Sequence, residues 1–291
     1  MIQKPLHTAV IAALACMASF ATPALSQVRG GYETFTSQNN AESWGLYDFS
    51  DEGFYIPFWD FSQIENPEIY GFVLPGSGIS LFADHLSSNA SFVGDFNAKR
   101  ISGLSCEAYV EDAASLYAAD FYFFSAGVLY FSQEFLAPNH FSTDGWEYLE
   151  VSFKDDPWFT IDNDEIVQVD LTAEILSTIT EVGVDFFASP EAPSDFIVAI
   201  DNFTLIPELI VPAVSITKNG GDIELGFQRE PGQFYDILQS PNLSGWSILP
   251  GFDFITGEGL FTASEPLAGM KFFRIATDVL YTPIPDIGPP P

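Results

Sequence analysis

Basic residues are scarce in this chain: nine Lys and Arg stand against 40 Asp and Glu over 291 residues, a formal net charge of −31. A surface of that sign repels nucleic-acid phosphates and anionic membranes, so neither is an expected partner. It favours cations, above all hard ones that take oxygen ligands. Histidine is also rare. Beyond the leader only His85 and His140 occur, both in polar, loop-like contexts. A zinc site or a Ser-His-Asp triad needs a positioned imidazole, and neither residue offers one. Cysteine is nearly absent, with Cys16 and Cys106 alone. Once Cys16 leaves with the leader, no internal disulfide remains, and the fold must be held by its core or by a metal. Cys106 lies on an alternating strand among small apolar residues and reads as a buried hydrophobe rather than a nucleophile. No Gly-rich phosphate loop and no basic patch are found.

Apolar and aromatic residues are plentiful. Hydrophobic residues make up 47% and aromatics 15%, with 29 Phe, which is ample material for a core. The N-terminus reads as a secretory signal over residues 1–26: Lys4, an apolar run from Thr8 to Thr22, and Ala24-Leu25-Ser26 before cleavage at Gln27. That run is short for a membrane span, and no second run of spanning length follows, so the mature chain is expected to be exported and not membrane-inserted. Secreted, cell-surface and periplasmic destinations all fit.

Short β segments recur from residue 30 onward. They include Ile79–Phe82, Leu104–Val110, Ala119–Phe124, Val128–Phe131 and Val182–Phe187. Trp146–Phe153 alternates cleanly, with Leu149, Val151 and Phe153 inward. Leu171, Ile175 and Ile179 share a spacing of four, which predicts one short helix. Many short strands with almost no helical periodicity predict an all-β fold, an antiparallel sandwich over residues 27–207. Pro207–Pro212 reads as a linker (208–212). A second, small β unit spans 213–277, with its hairpin at Asn219-Gly220. Residues 278–291 form a Pro-rich tail.

The stretch Phe196–Ile206 closes the first unit. Counting by two places Ile197, Ala199, Asp201, Phe203 and Leu205 on one face, apolar except for Asp201. A core-facing carboxylate needs a partner. No Lys or Arg occurs between Lys154 and Lys218, so a bound cation is one answer and a position at the sheet rim is the other. Paired acids are common throughout. Glu150 and Asp185 alternate outward on strands, while Asp155-Asp156 and Asp162-Asn-Asp-Glu165 read as solvated turn acids. Trp44, Trp146 and Trp246 read as core. Trp59 and Trp158 lie beside acids and Pro, and are the candidates for a sugar-stacking platform.

Residues 30–207 resemble the jelly-roll sandwiches of the galactose-binding-like and carbohydrate-binding-module kind, and also the laminin IV domain. The carrying residues are Tyr32-Glu-Thr-Phe35, Ala41-Glu-Ser-Trp44, Phe92-Val-Gly-Asp-Phe96, Gly145-Trp146 and Ile200-Asp-Asn-Phe203. Residues 213–277 are similar to the Ig-like or fibronectin-III-like modules of exported proteins from Planctomycetes and Verrucomicrobia. That likeness rests on Leu225-Gly-Phe227, Tyr235–Ser240, Asn242–Trp246 and Phe272-Phe-Arg-Ile275. The first resemblance implies a structural Ca²⁺ where the closing strand meets the opening one, with Asp201 and Glu33 as carboxylates and carbonyls of Thr36 to Asn39 as neutral ligands. The resulting expectation is an exported, non-catalytic protein that binds a glycan or a surface partner. The alternatives are a structural matrix protein without a defined ligand, and a secreted carbohydrate-active hydrolase whose acids hide among the 40 carboxylates.

Overall fold

The computed structural model describes residues 31–33, 35, 44–60, 68–84, 92–136, 140–141, 145–220, 222–230, 233–241, 243, 245–253, 255–257, 259–266, 272–279 and 282–283. The signal segment 1–26, the carbonyls of residues 36–39 and most of the Pro-rich tail lie outside them. Two compact units are resolved: residues 1–206 with 282–291, and residues 207–281.

The first unit holds strands β1 (Gly31–Glu33), β2 (Gly45–Asp48), β3 (Gly53–Tyr55), β4 (Phe58–Asp60), β5 (Glu68–Val73), β6 (Gly78–Asp84), β7 (Ile101–Val110) and β8 (Leu116–Ser125). It continues with β9 (Val128–Ser132), β10 (Phe135–Leu136), β11 (Trp146–Ser152), β12 (Trp158–Asp162), β13 (Glu165–Val169), β14 (Ile179–Ala188) and β15 (Phe196–Pro207). Among the described residues two single-turn helices interrupt them, α1 (Phe96–Lys99) and α2 (Ala173–Leu176). The helix predicted around 171–179 is therefore four residues long. Thr172 caps it through Ile175 N, and Ile179 already belongs to β14. Among the described residues no helix is long and apolar enough to cross a membrane.

The strands form two sheets, as an all-β sandwich requires. The seven-stranded sheet runs β11-β7-β15-β1-β22, the last being Thr282–Pro283, with β5 also on β15 and β4 on β5. The nine-stranded sheet runs β13-β12-β9-β8-β14-β6-β2-β3, with β10 on β8. Between them lies one core. From the first sheet come Leu104, Cys106, Ala108, Leu149, Val151, Val198 and Ile200, and from the second Ile79, Leu81, Phe121, Phe123, Val182, Val184 and Phe186.

The closing strand departs from simple alternation. Val198 and Ile200 belong to the core, and so do Phe203 and Leu205. Two residues, Asp201 and Asn202, separate Ile200 from Phe203 where alternation would put one, so the period of two is broken between them. The break sits at Asn202, whose φ is 51°. An extra residue in the left-handed region is the signature of a β-bulge. The sequence-based row that put Asp201 with Phe203 and Leu205 is corrected accordingly: the bulge changes the parity, and Asp201 stands out of step with both.

The second unit contains β16 (Val214–Asn219), β17 (Asp222–Arg229), β18 (Gln233–Ser240), β19 (Ser247–Ile248), β20 (Gly259–Pro266) and β21 (Phe272–Val279). They make two three-stranded sheets, β16-β17-β20 and β19-β18-β21. Asn219 pairs with Asp222, and Gly220 has φ 64° in the turn between them. Leu225, Phe227, Tyr235 and Ile237 form its core. A final strand, β22 (Thr282–Pro283), pairs in parallel with β1 of the first unit.

Candidate active site

The nine-stranded sheet carries a second cluster on the face away from the core, and its residues follow from alternation. On β14 the core takes Val182, Val184 and Phe186, so Glu181, Gly183 and Asp185 point the other way. On β8 the core takes Phe121 and Phe123, so Asp120, Tyr122 and Phe124 point with them. On β6 the same logic selects Ser80 and Phe82.

Register turns these positions into rows. Phe82, Gly183, Tyr122, Phe131 and Phe159 lie opposite one another across five strands. Beside that row, Tyr47, Ser80, Asp185 and Asp120 lie opposite one another across four. Gly183 has no room for a side chain: a Cβ there would stand 2.5 Å from Leu81 O, 2.8 Å from Phe82 Cβ and 2.9 Å from the Tyr122 ring. Its absence of a side chain lets Phe82 and Tyr122 close over the strand.

A recess opens on this face. Tyr47, Phe49, Phe54 and Phe82 line it from the β2–β3–β6 side, and Phe124 and Leu129 from the β8–β9 side. Its polar wall is Ser80, Tyr122, Glu181 and Asp185. Phe54 sits 4.8 Å from Tyr47, ring centre to ring centre, and remains 49% exposed. The polar groups by contrast are buried, Asp120, Ser80, Asp185 and Glu181 all among them.

Hydrogen bonds tie these groups in two pairs. The Tyr122 hydroxyl donates to Glu181 Oε1 at 2.9 Å. Ser80 Oγ donates to Asp185 Oδ1. Directly opposed residues of an antiparallel pair bring their Cβ atoms within about 4.5–5.5 Å, so Asp120 and Asp185 are neighbours. Burial pushes the Glu181 carboxyl up to about 8, against the lowering effect of the Tyr122 hydrogen bond, with small additional pushes from Asp84 and Asp185. Burial first, and the adjacent Asp120 second, hold Asp185 well above the ordinary carboxylate range. Burial likewise raises the Tyr122 phenol, with Glu181 and Asp185 adding to it. The result is an acid that keeps its proton at neutral pH, on the same wall as a pair of carboxyls that repel each other's charge. Environments of this kind assign acid and base roles to chemically similar groups.

The residues singled out from the sequence lie elsewhere. Trp158 is 1% exposed and packs in the main core against Phe123 and Phe153, with Nε1 donating to Ser152 O. A ring enclosed on both faces cannot stack on a sugar, so the platform expected at Trp158 is corrected to a core tryptophan. Trp59 is half-buried against the same core and donates from Nε1 to Phe35 O at 2.9 Å. Asp162 to Glu165 form the β12–β13 turn, with Asn163 and Asp164 at φ 49° and 65°.

Glu33 and Asp201 are both brought into the protein, each 1% exposed, and Glu33 bears electrostatically on Asp201. Glu33 Oε1 accepts from Phe35 N at 2.9 Å, and Asp201 Oδ1 from Asn202 N at 2.7 Å. Asn202 Nδ2 donates to Glu107 Oε2 at 2.9 Å. Burial raises Asp201 to about 7, with Glu107, Glu68 and Glu33 contributing. Among the described residues no group of three or more His, Cys, Asp or Glu is placed to hold a metal ion.

Of the candidate site, sequence reading had named only Asp185, as one outward acid among many. A stronger signal was present. Ala118-Ala-Asp-Phe-Tyr-Phe-Phe124 and Val182-Gly-Val-Asp-Phe-Phe187 are apolar on both faces except for one acid each. Strands that are apolar on both faces are covered on both faces, which buries the acid wherever it points.

No family model and no curated protein matches the chain. Solved structures similar to it include a β-1,2-glucanase from Parabacteroides distasonis, at 11% identity and TM-score 0.40 over 88% of this chain and 39% of that one. Two others are the Endo-D glycoside hydrolase domain from Streptococcus pneumoniae R6 (13%, TM-score 0.25, 77% and 35%) and an agarase (12%, TM-score 0.30, 72% and 37%). The chain thus spans between about a third and two fifths of their lengths. At these identities and TM-scores the likeness assigns no residue, substrate or mechanism to this chain. The expectation of a non-catalytic binding protein, not an enzyme, stands against this finding, since the three structures are named as a glucanase, a glycoside hydrolase domain and an agarase.

Proposed function

We propose that this chain is a glycan hydrolase, with its active site in the recess on the outer face of the nine-stranded sheet. The observation that carries the reading is the two hydrogen-bonded pairs Tyr122–Glu181 and Ser80–Asp185 on the wall of one aromatic recess. Sugars present apolar C–H faces that suit aromatic rings and hydroxyls that suit carboxylates. Cleaving a glycosidic bond requires two carboxyl groups in opposite protonation states.

Glu181, protonated below about pH 8, is the general acid. It gives its proton to the glycosidic oxygen as the bond from the anomeric carbon to that oxygen breaks. The Asp185–Asp120 pair shares one proton, and the carboxylate left ionised supplies the base. It takes a proton from a water whose oxygen bonds to the anomeric carbon, so that one water is added across the bond. Tyr122 and Ser80 are positioning residues, Tyr122 for Glu181 and Ser80 for Asp185. The expected export of the protein, through residues 1–26, would place this activity outside the cytoplasm.

The test is hydrolysis of a panel of polysaccharides by wild type, Glu181→Gln and Asp185→Asn, each first shown to be folded by its melting transition. General acid–base groups contribute about 10²–10⁴-fold. A kcat loss in that range for Glu181→Gln, with little change in KM, is the expected result, and wild-type kcat should fall as pH rises through about 8. Absence of turnover on every polysaccharide, or full activity in Glu181→Gln, would overturn the proposal.

A further inference from the structure

The hairpin of β2 and β3 does more than wall the recess. It contributes Phe49 and Phe54, the aromatic residues of the recess that are not fully buried. The same hairpin carries Asp48, Asp51 and Glu52 around its turn. Their charges reach the recess, since Glu52, Asp51 and Asp48 all bear on the Tyr47 phenol. The turn is built to hold them there. Asp48 Oδ1 accepts from Ser50 N at 2.7 Å, Asp51 Oδ1 accepts from Gly53 N at 2.9 Å, and Asp51 Oδ2 takes the Tyr55 hydroxyl. Among the described residues no Lys, Arg or His lines the recess.

From this geometry we infer that the site selects uncharged sugars and rejects anionic ones, and that Asp51 and Glu52 set this preference. The inference rests on the glycan reading above and names the substrate class within it. An anionic sugar brings a carboxylate or sulfate, which needs a cationic or N–H-rich partner. Three acids stand on the hairpin that walls the recess, so an approaching anion would meet their repulsion. A neutral pyranose meets the exposed Phe54 ring, which stacks on it without regard to charge. The rim acids are partly or fully exposed, and their effect is therefore screened by salt over about 10 Å at 0.1 M.

The probes are neutral gluco-, galacto- and manno-hexaoses, each beside its C6-oxidised counterpart, in which a carboxylate replaces the hydroxymethyl group. Binding is measured by calorimetry on the full chain, and hydrolysis on the same pairs. The expected result is at least tenfold tighter binding of a neutral hexaose than of its oxidised form at 20 mM salt. The ratio should shrink several-fold at 500 mM salt, and also in Asp51→Asn/Glu52→Gln. Both substitutions keep the side-chain shape, Asp51→Asn trades one of two accepting oxygens for an amide donor, and the salt series reads the same effect without any substitution. Equal binding of the two forms, binding of neither, or a ratio unmoved by both salt and substitution would overturn the inference. Preferential binding without hydrolysis would sink the hydrolase reading and leave this one standing.

Discussion

Asp185 and Glu181 are four residues apart on one strand, yet their surroundings differ. Asp185 faces Asp120 and takes a hydrogen bond from Ser80, whereas Glu181 takes one from Tyr122 and lies opposite Phe124. What keeps this arrangement closed is Gly183, midway between them. A Cβ there would strike the carbonyl of Leu81, which cannot move away because β6 and β14 are hydrogen-bonded around it. Gly183→Ala should therefore destabilise the protein by about 1–3 kcal/mol, as overpacking does in tight interiors, and should push Tyr122 off Glu181. Urea unfolding gives the first quantity. The second shows as a lowered apparent pKa in the pH profile, because hydration of Glu181 in an opened recess outweighs the rise from losing the Tyr122 hydrogen bond, burial being the larger of the two effects. An Ala variant as stable as wild type would mean that the rings do not close over the strand. Residue identity alone carried part of this. Acids inside runs such as Ala118–Phe124 signal burial, but nothing in the residues says that Asp120 meets Asp185, which are 65 positions apart and joined only by register.

At the scale of the element, the bulge in β15 decides most. Its first half, Phe196 to Ile200, pairs with β5, and its second half, around Phe203 and Thr204, pairs with β1. One inserted residue lets a single long strand keep apolar side chains in the core on both halves while switching neighbours. Asn202 takes the left-handed conformation that this requires, and its amide ties the bulge to Glu107. A β-branched residue at that φ costs roughly 1–2 kcal/mol over a tolerant one. Asn202→Val should accordingly lose about 2 kcal/mol or more in urea unfolding, counting the lost hydrogen bond, and Asn202→Gly less than half of that. A Val variant no worse than the Gly variant would contradict the bulge. Alternation was legible strand by strand from the sequence, as at Leu149 and Val151. The parity change was not, because one extra residue leaves no trace in composition.

For the whole molecule, acidity and burial act together. Glu181 at about 8, Asp201 at about 7 and the raised Asp185 all hold their protons more tightly in the folded state than in the unfolded one. Between an unfolded value near 4 and those folded values, the native state binds the extra protons, so stability falls as pH rises. The stabilisation is fully present below about pH 4 for these groups and is lost on passing through about 7 and 8. Self-repulsion at a net charge of −31 adds to the loss. Urea midpoints should therefore decline from pH 5.5 to 8.5, and Asp201→Asn should flatten the part of the decline near pH 7. A midpoint that rises over that interval would refute this account.

Composition and alternation by themselves determined the class of the molecule. Scarce basic residues, abundant aromatics and short alternating segments allow little but a strand-built protein with an acidic surface, because period and hydrophobicity are properties of neighbouring residues. Tertiary structure decided the site. Trp158, which stands beside acids in the sequence, is enclosed in the core. Asp120, Ser80, Tyr122 and Glu181, unremarkable along the chain, converge because three strands far apart in sequence lie side by side in one sheet. Strand order and register are long-range choices made by packing two sheets over a common core, and the protonation of each acid follows from which neighbours that packing supplies.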